Sequence, residues 1–534
     1  MMSAELPPLY YLDNLRTLVR HVLGLYADIL PDDMLGRSED FLALPDAEAA
    51  LLTRLLCRKG PLFRTDRLHY PEIGALEDAL TGLREKGWID RPGPPERDAL
   101  LSLLTLPELR QRFDVPAAAR TRSAVIRALS DLDARALLAL SGLEVIALNT
   151  GDWLDWMRLA FFGNLYQDMT TFVTAQLGVQ RYPGYRLRRA TRLFNSATEM
   201  EAAMTLHRLR EAVPDLPSPE ALNAAVASLP PDTDHPLLQR RRRKALNTLA
   251  RRAEQLGDPV LAERLYRESG LPPARERLVR LAFRDGRLEE AEALLEAIAA
   301  HPASETELAF RERFLPRLLK KRGQRAEPEW QPEAPETLCL TPHPDGVEAA
   351  VCHHLATRGI TAFHVENRLF NVLFRAHFHD VLFADVQGAL THPFQMAPHD
   401  LRDPEFHARR QPQIEQAWQA LSGPDWTAHL QRALSRPECA YLEDWLPEGP
   451  EVLALALSRI PAAHLALIFR RMLRDPHSNC SGLPDLILFP PVAGYTLLEV
   501  KGPGDRLQDN QWRWLRYFHQ HGLPAGHVRV VWHT

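Results

Sequence analysis

The sequence predicts a multidomain protein: mostly α-helical N-terminal and central domains, then a C-terminal α/β domain built on a small sheet. Three observations carry that expectation. Apolar residues recur at helical spacing early in the chain, as at Leu15, Leu18, Val19, Val22 and Leu23. A helical pattern repeats itself between Leu249 and Ile298. Near the C-terminus, two short runs of branched and aromatic residues, each bounded by Pro or Gly, read as adjoining strands. The length of 534 residues suggests roughly three or four domains. The expected divisions are 1–95, 96–135, 136–325, a linker at 326–345, and 346–534.

In the first division, Tyr10 to Leu30, Leu51 to Cys57 and Leu76 to Gly87 read as helices. The last runs into Trp88-Ile89-Asp90 and a Pro/Gly turn. Helices followed by a short strand suggest a winged-helix-like module, with Arg58, Lys59, Arg64 and Arg67 able to touch phosphates. A plain helical packing domain fits as well. Arg91-Pro92-Gly93-Pro94-Pro95 reads as a linker.

Between 96 and 135, Thr105-Leu106-Pro107-Glu108 has the form of a capping box, and a second short helix follows Thr121. This pair resembles the SAP motif, a helical hairpin that binds DNA backbone. Arg110 and Arg122, with Arg112, Arg120 and Arg127, would supply the charge.

The aromatics Trp153, Trp156, Phe161, Phe162, Tyr166 and Phe172 recur near helical spacing and read as core. Arg181, Arg186, Arg188, Arg189 and Arg192 fall within twelve residues that contain no acid. A second acid-free block holds Arg240, Arg241, Arg242, Arg243 and Lys244, with Arg251 and Arg252 beyond. Charge runs are usually solvated faces. Two acid-free runs in a net acidic chain favour phosphate contact. Leu249, Ala253, Gly257, Ala262 and Leu265 recur as Leu278, Ala282, Gly286, Ala291 and Leu294, a period of 29. Small residues let paired helices approach, so this resembles a tetratricopeptide-like (TPR-like) stack, a protein-binding surface or a spacer. Pro328, Pro332 and Pro335 among polar residues mark the linker.

Beyond it, Val347 to Thr357 reads as a helix and Thr361 to Val365 as an extended link. Glu366 then shares a helical face with Leu369, Phe370 and Leu373. An acid on an apolar face needs a reason: it either opens the helix and favours its positive end, or it belongs to a site. Asp380 and Asp385 read as structural, and Arg409 with Arg410 as a backbone contact. The two C-terminal runs are Gly482 to Phe489 and Tyr495 to Gly502, with Pro490 to Gly494 as the loop. Strand residues alternate faces, so Glu499 and Lys501 point one way and Val500 the other. Asp485 opens the neighbouring strand. A helix after Asp505 would turn Leu507, Trp514, Leu515 and Phe518 inward and leave Arg506, Gln508 and Gln511 able to face Asp485 and Glu499.

Burying two carboxylates and an ammonium costs several kcal/mol each unless they are paired or hold a metal. The two strands alone are equally compatible with a salt-bridged hairpin and with a phosphodiester-cleaving centre. In the latter, hard oxygen ligands hold a divalent cation.

Pro484-Asp485 followed by Glu499-Val500-Lys501 resembles the Pro-Asp…(Asp/Glu)-X-Lys pattern of restriction-endonuclease-like nucleases. The extension Glu499 to Leu507, with Gln511 and Trp514, is similar to the virus-type replication-repair nuclease (VRR-NUC) domain. More narrowly, it looks like the Fanconi-associated nuclease family, clearest from Ala349 onward. The resemblance implies a divalent-metal-dependent DNA nuclease using Mg2+ or Mn2+. Asp485, Glu499 and the Val500 carbonyl would hold metal, Glu366 would complete the set, and Lys501 would position water, with Gln511 as support. It further implies 5′ flap incision, 5′-to-3′ trimming and repair of interstrand crosslinks. A Holliday-junction resolvase or restriction-type enzyme, and a DNA-binding scaffold with a relic site, are the alternatives. DNA-contact candidates are Arg110, Arg122, Arg181, Arg188, Arg189, Arg192, Arg242 and Arg243.

The formal net charge is −5, so a DNA partner must be held by local patches and not by overall charge. Five scattered cysteines, with no C-x-x-C pair, argue against a disulfide framework or structural zinc and fit a reducing compartment. The apolar stretch Val452 to Phe469 is interrupted by Arg459, Pro461 and His464. Neither secretion nor membrane insertion is expected. The expected location is the cytoplasm, with the nucleoid in a bacterium, or the nucleus in a eukaryote.

Overall fold

A computed structural model describes residues 6–58, 60, 62–90, 97–325, 330 and 332–533. Lys59, the Arg91–Pro95 turn and part of the Pro-rich linker lie outside the described residues. The chain divides into two compact units. One runs to Val179 and includes Phe194–Met200; the other holds Gln180–Leu193 and everything from Glu201.

The first unit is helical around a three-stranded antiparallel sheet of β1 (Leu62–Arg64), β2 (Ile89–Asp90) and β3 (Val145–Leu148), in the order β1-β3-β2. The expected boundary at 135 therefore falls inside a folded unit, because β3 is the strand that joins the other two. The aromatic run is core: Trp153, Phe161 and Phe162 are buried, and the Trp153 indole N–H donates to Ser38 Oγ at 2.9 Å. Tyr166 is the exception and is exposed. Thr105 caps its helix as the sequence indicates, with Glu108 closing the box at 2.8 Å. Thr121 caps the next helix, Arg122–Ala128.

In the second unit, Pro236–Gln255 pairs with Pro259–Ser269, and Ala274–Arg284 with Leu288–Ala300. Gly257 and Gly286 turn each hairpin at φ 83° and 78°, values that suit glycine. The 29-residue period is thus two stacked helical hairpins.

The C-terminal sheet has five strands: β4 (Glu336–Leu340), β5 (Thr361–His364), β6 (Leu486–Phe489), β7 (Thr496–Lys501) and β8 (Ala525–Trp532). Their order is β4-β8-β7-β6-β5. β4, β8 and β7 run parallel, while β6 is antiparallel to both β7 and β5. Two sequence expectations change here. Part of the expected linker, Glu336–Leu340, is an edge strand, and the extended link at Thr361–His364 is the opposite edge, because each finds hydrogen-bonding partners far away in sequence. The sheet buries both faces. Leu486, Leu488, Val500 and Val528 pack with the Val347–Ala356 helix. Ile487, Phe489 and Leu497 pack with the Arg368–His377, Ala462–Arg474 and Asp509–Gln520 helices. The alternation read from the sequence places Glu499 and Val500 on opposite faces accordingly.

Among the described residues, no single helix is long and apolar enough to cross a membrane. The stretch Val452 to Phe469 is two helices bent by 111°, with Val452, Leu465, Ile468 and Phe469 in the core. Gln180–Leu193, assigned by sequence to the central helices, packs on the C-terminal domain. Tyr185 stacks on Phe383 with ring centroids 5.1 Å apart, and its hydroxyl donates to the His392 carbonyl at 2.7 Å.

Candidate active site

The centre is the open end of β6 and β7, where Asp485, Glu499 and Lys501 meet. Asp485 immediately precedes β6 and is 9% exposed; Glu499 on β7 is 0% exposed. The backbone N–H of Val500 donates to Asp485 Oδ2 at 2.8 Å, which fixes the carboxylate against β7. Lys501 Nζ forms an ion pair with Glu499 Oε1 at 2.6 Å. Neither Glu499 oxygen receives an oriented hydrogen bond, so the buried carboxylate is poorly satisfied. Burial, and then the neighbouring Asp485 charge, push Glu499 up to about 8.

Glu366 reaches the centre by a different route from the one its sequence suggests. The helix begins at Arg368, and Glu366 lies before it at φ 39°, in left-handed backbone rare for a residue with a side chain. Its position is set by hydrogen bonding and not by a helical face. The N–H groups of Val365 and Glu366 both donate to the Asp485 carbonyl, at 2.9 and 2.8 Å. Asn367 Nδ2 donates to Glu366 Oε1 at 3.1 Å, while its Oδ1 accepts from the Leu483 N–H at 3.0 Å. Asn371 adds donations to the carbonyls of Asn367 and Cys480, at 2.7 and 2.8 Å. These two asparagines are positioning residues that no motif in the sequence marks. Asn367 stands at the start of the Arg368–His377 helix and Asn371 in its first turn, four residues on.

Glu348, His364 and Asp485 each offer a ligand atom within 4.8 Å of the other two. Among the described residues this is the set that approaches so closely; Glu366, Asp485 and Glu499 are not drawn together to that distance. Three carboxylates repel one another, and closing them requires a cation. Glu348 looked in sequence like any acid in the first turn of a helix, and His364 like a strand residue. The donors are carboxylate oxygens and one imidazole, around a buried glutamate with unsatisfied oxygens. That chemistry fits a hard divalent cation.

Gln511 is committed elsewhere: its side-chain oxygen accepts from the Gln508 N–H at 2.9 Å in a capping box at the start of the Asp509–Gln520 helix. Asp380 and Asp385 are structural, paired with Arg436 at 2.8 Å and Arg188 at 3.0 Å.

Most of the arginines read as phosphate contacts also have protein partners. Arg122 donates to the carbonyls of Leu101 and Leu104, both at 2.6 Å, and Arg110 to that of Ala119 at 2.7 Å. Arg181 pairs with Asp444 at 2.7 Å and Glu443 at 3.1 Å. Arg242 pairs with Glu268 at 2.8 Å and donates to the Pro230 carbonyl at 3.0 Å. Arg192 is buried, Arg189 exposed and Arg243 half-buried. Arg410 is 0% exposed and holds Asp400 through two bonds of 2.7 and 2.8 Å, so it is a core ion pair and not a backbone contact. For Arg181, Arg188 and Arg242 the paired acids lie outside the acid-free runs in sequence.

Residues 9–90 match the family model described as "FAN1, HTH domain", and residues 426–532 match the VRR-NUC domain. A Fanconi-associated nuclease 1 homolog of Pseudomonas aeruginosa is 37% identical, over 100% of this chain and 98% of its own length. An Arabidopsis thaliana homolog is 23% identical, over 94% of this chain and 64% of its own length. A crystal structure of paFAN1 bound to 2-nt 5′ flap DNA with a gap superposes with a TM-score of 0.82 at 36% identity, covering 99% of this chain and 100% of that one.

Proposed function

The chain belongs to the Fanconi-associated nuclease family, and from that premise we propose that it cuts branched DNA at 5′ flaps. It is a DNA nuclease, with the VRR-NUC domain as its hydrolytic part. The observation that carries the site assignment is the buried Glu499, flanked by Asp485 and ion-paired to Lys501. Asp485, Glu499 and the Val500 carbonyl would hold a divalent cation, with Glu366 completing the set and Glu348 and His364 available beside Asp485. When bound, such an ion polarises the phosphate and lowers the pKa of a water. The Val500 N–H keeps one Asp485 oxygen in a fixed place. Lys501, on the same face as Glu499, orients the attacking water or offsets charge on the phosphate. Mg2+ or Mn2+ suits the oxygen-rich donor set, and the imidazole of His364 inclines it toward Mn2+.

Flap selectivity is supported by the full-length similarity to proteins crystallised with 1-nt and 2-nt 5′ flap DNA. The reading extends, on the family resemblance, to trimming in the 5′-to-3′ direction and a part in interstrand-crosslink repair. The test is cleavage of end-labelled 5′ flap, four-way junction and linear duplex in parallel, with Mg2+, Mn2+ or chelator. Metal-dependent cutting of the flap in preference to the other two supports the reading. Symmetric cutting of the junction would favour a resolvase.

A further inference from the structure

The turn that carries Glu366 is held by bonds from outside it, and one of them comes from an arginine that its own helix disfavours. β5 ends at His364, and the Arg368 N–H donates to the Val365 carbonyl at 2.7 Å, closing residues 365–368 into a turn. Glu366 is the second residue of that turn at φ 39°, and Asn367 the third at φ −78°. Positive φ at the second position of a turn favours glycine, so a glutamate needs other bonds to stay there. The Asp485 carbonyl accepts from the Val365 and Glu366 N–H groups, and the Leu483 N–H holds the Asn367 side chain. The remaining support is the Arg368 side chain. Its Nη2 donates to the His364 carbonyl and also to Glu448 Oε1, the latter at 2.6 Å.

Arg368 is the first residue of the Arg368–His377 helix, where a cation opposes the helix dipole. Glu448 stands at the start of the Gly449–Arg459 helix, where an acid is favoured. Val452, Ala456 and Leu457 seat that second helix in the core. Glu448 is therefore a fixed anchor, and Arg368 links it to the end of β5. The link is a poor ion pair by the measure of stability. Arg368 Nε and Glu448 Oε2 are buried and make no hydrogen bond among the described residues, and orphaned atoms of that kind destabilise a fold. A part-buried pair with such atoms is weak support for folding. What the link does fix is the carbonyl that leads directly into Val365 and Glu366. On one side of that carbonyl is the His364 imidazole, one of the three groups whose ligand atoms lie within 4.8 Å of one another. On the other side is the Glu366 carboxylate.

We propose that Arg368, braced by Glu448, is a positioning residue that holds His364 and Glu366 in place for the divalent cation and so sets how tightly that cation binds. The proposal rests on the metal-dependent nuclease reading above. Arg368 acts through the His364 carbonyl, and Glu448 acts through Arg368. Hydrogen-bonding partners one step out from metal ligands commonly change metal affinity by about 10–100-fold when removed.

The experiment titrates the full chain with Mn2+ in the absence of DNA, following free Mn2+ by electron paramagnetic resonance. Single-turnover cutting of a 5′ flap is then measured over the same Mn2+ range. Arg368→Gln should need about tenfold more Mn2+ for half-saturation, and Glu448→Gln should shift in the same direction. Cutting by Arg368→Gln should be slow at low Mn2+ and recover to near the wild-type rate once Mn2+ saturates, with DNA affinity unchanged. Arg368→Lys keeps a donor for one of the two partners and should fall between Arg368→Gln and wild type. It carries the test if Arg368→Gln does not fold. Arg436→Gln breaks the Arg436–Asp380 pair, an ion pair of similar exposure in the same domain, and should titrate as wild type does. A wild-type Mn2+ titration of the Arg368 variant with a lower melting temperature makes the pair structural and overturns the proposal. A wild-type titration with weaker DNA binding makes Arg368 a DNA contact and overturns it too. An equal shift in Arg436→Gln overturns it by making the effect a general one, and so does a wild type that binds no Mn2+. If wild type binds Mn2+ but cuts no flap, only the flap reading fails, and the titration, which needs no DNA, still decides Arg368.

Discussion

The backbone N–H of Glu366 donates to the carbonyl oxygen of Asp485 at 2.8 Å, across a sequence gap spanning most of the nuclease domain. That bond ties two carboxylate-bearing residues through their main chains, so their separation does not depend on side-chain rotamers. Glu366 accepts φ 39° to make it, a backbone conformation that costs a side-chain-bearing residue about 1–2 kcal/mol. Strain retained at one acid beside another points to function before packing.

Glu366 therefore separates cleanly into a backbone and a side-chain contribution. Glu366→Gly should melt at or slightly above wild type, since glycine tolerates the left-handed turn, yet cleave flap DNA poorly. Glu366→Gln should melt near wild type with a similar loss of cleavage. Thermal melts and initial rates on the same preparations decide it. Preserved activity in both variants would reduce Glu366 to a turn residue.

Asp485→Ala, Glu499→Ala and Lys501→Ala should each lower the cleavage rate at saturating DNA. The carboxylate variants should lose nearly all activity, and Lys501→Ala about 10²–10³-fold. DNA affinity should stay within a few-fold of wild type, since the centre occupies a small part of the binding surface. Single-turnover rates and fluorescence anisotropy measure the two quantities. Near-normal cutting by any of the three would displace the assignment.

Glu499 titrates against the fold. Its carboxyl is held near 8 in the native protein and near the ordinary glutamate value when unfolded. Between those values the native state binds the extra proton, so metal-free stability falls as pH rises from about 4.5 to about 8 and then levels. A divalent cation competes with that proton, so its stabilising effect should grow over the same interval. Glu499→Gln should be inactive but more stable than wild type by about 1–3 kcal/mol at pH 8.5 without metal, and much closer to it at pH 5. Melting curves at both pH values, with and without Mn2+, test this. A metal-induced shift equal at both would argue that Glu499 is already ionised.

Arg181 lies in an acid-free run that suggests phosphate contact, yet in the fold it is bound to Asp444 and Glu443. All three side chains are substantially exposed, so the cluster contributes about 0–1 kcal/mol. Arg181→Ala should leave the salt slope of DNA binding unchanged, with at most a small drop in melting temperature. A slope shallower by about one would return it to the DNA surface.

Local rules, read along the residues, specify a good deal of this protein. Period-2 alternation put Glu499 and Lys501 on the face opposite Val500, Thr105 and Thr121 announced two helix starts, and a 29-residue period announced the paired hairpins. Which charges meet is settled by folding at long range. Arg181 and Asp444 are 263 residues apart, so an arginine run looks acid-free until the chain is folded. Glu336–Leu340 became an edge strand because β8 offered it a parallel partner, which no local pattern encodes. Glu348 and His364 came to Asp485 by the same means, and Glu366 was aimed by hydrogen bonds to Asp485 and not by helical phase. Local propensity fixes which way a side chain leaves its own element. Long-range hydrogen bonding and burial fix what it finds there, and for a catalytic or phosphate-binding group that second step carries the function.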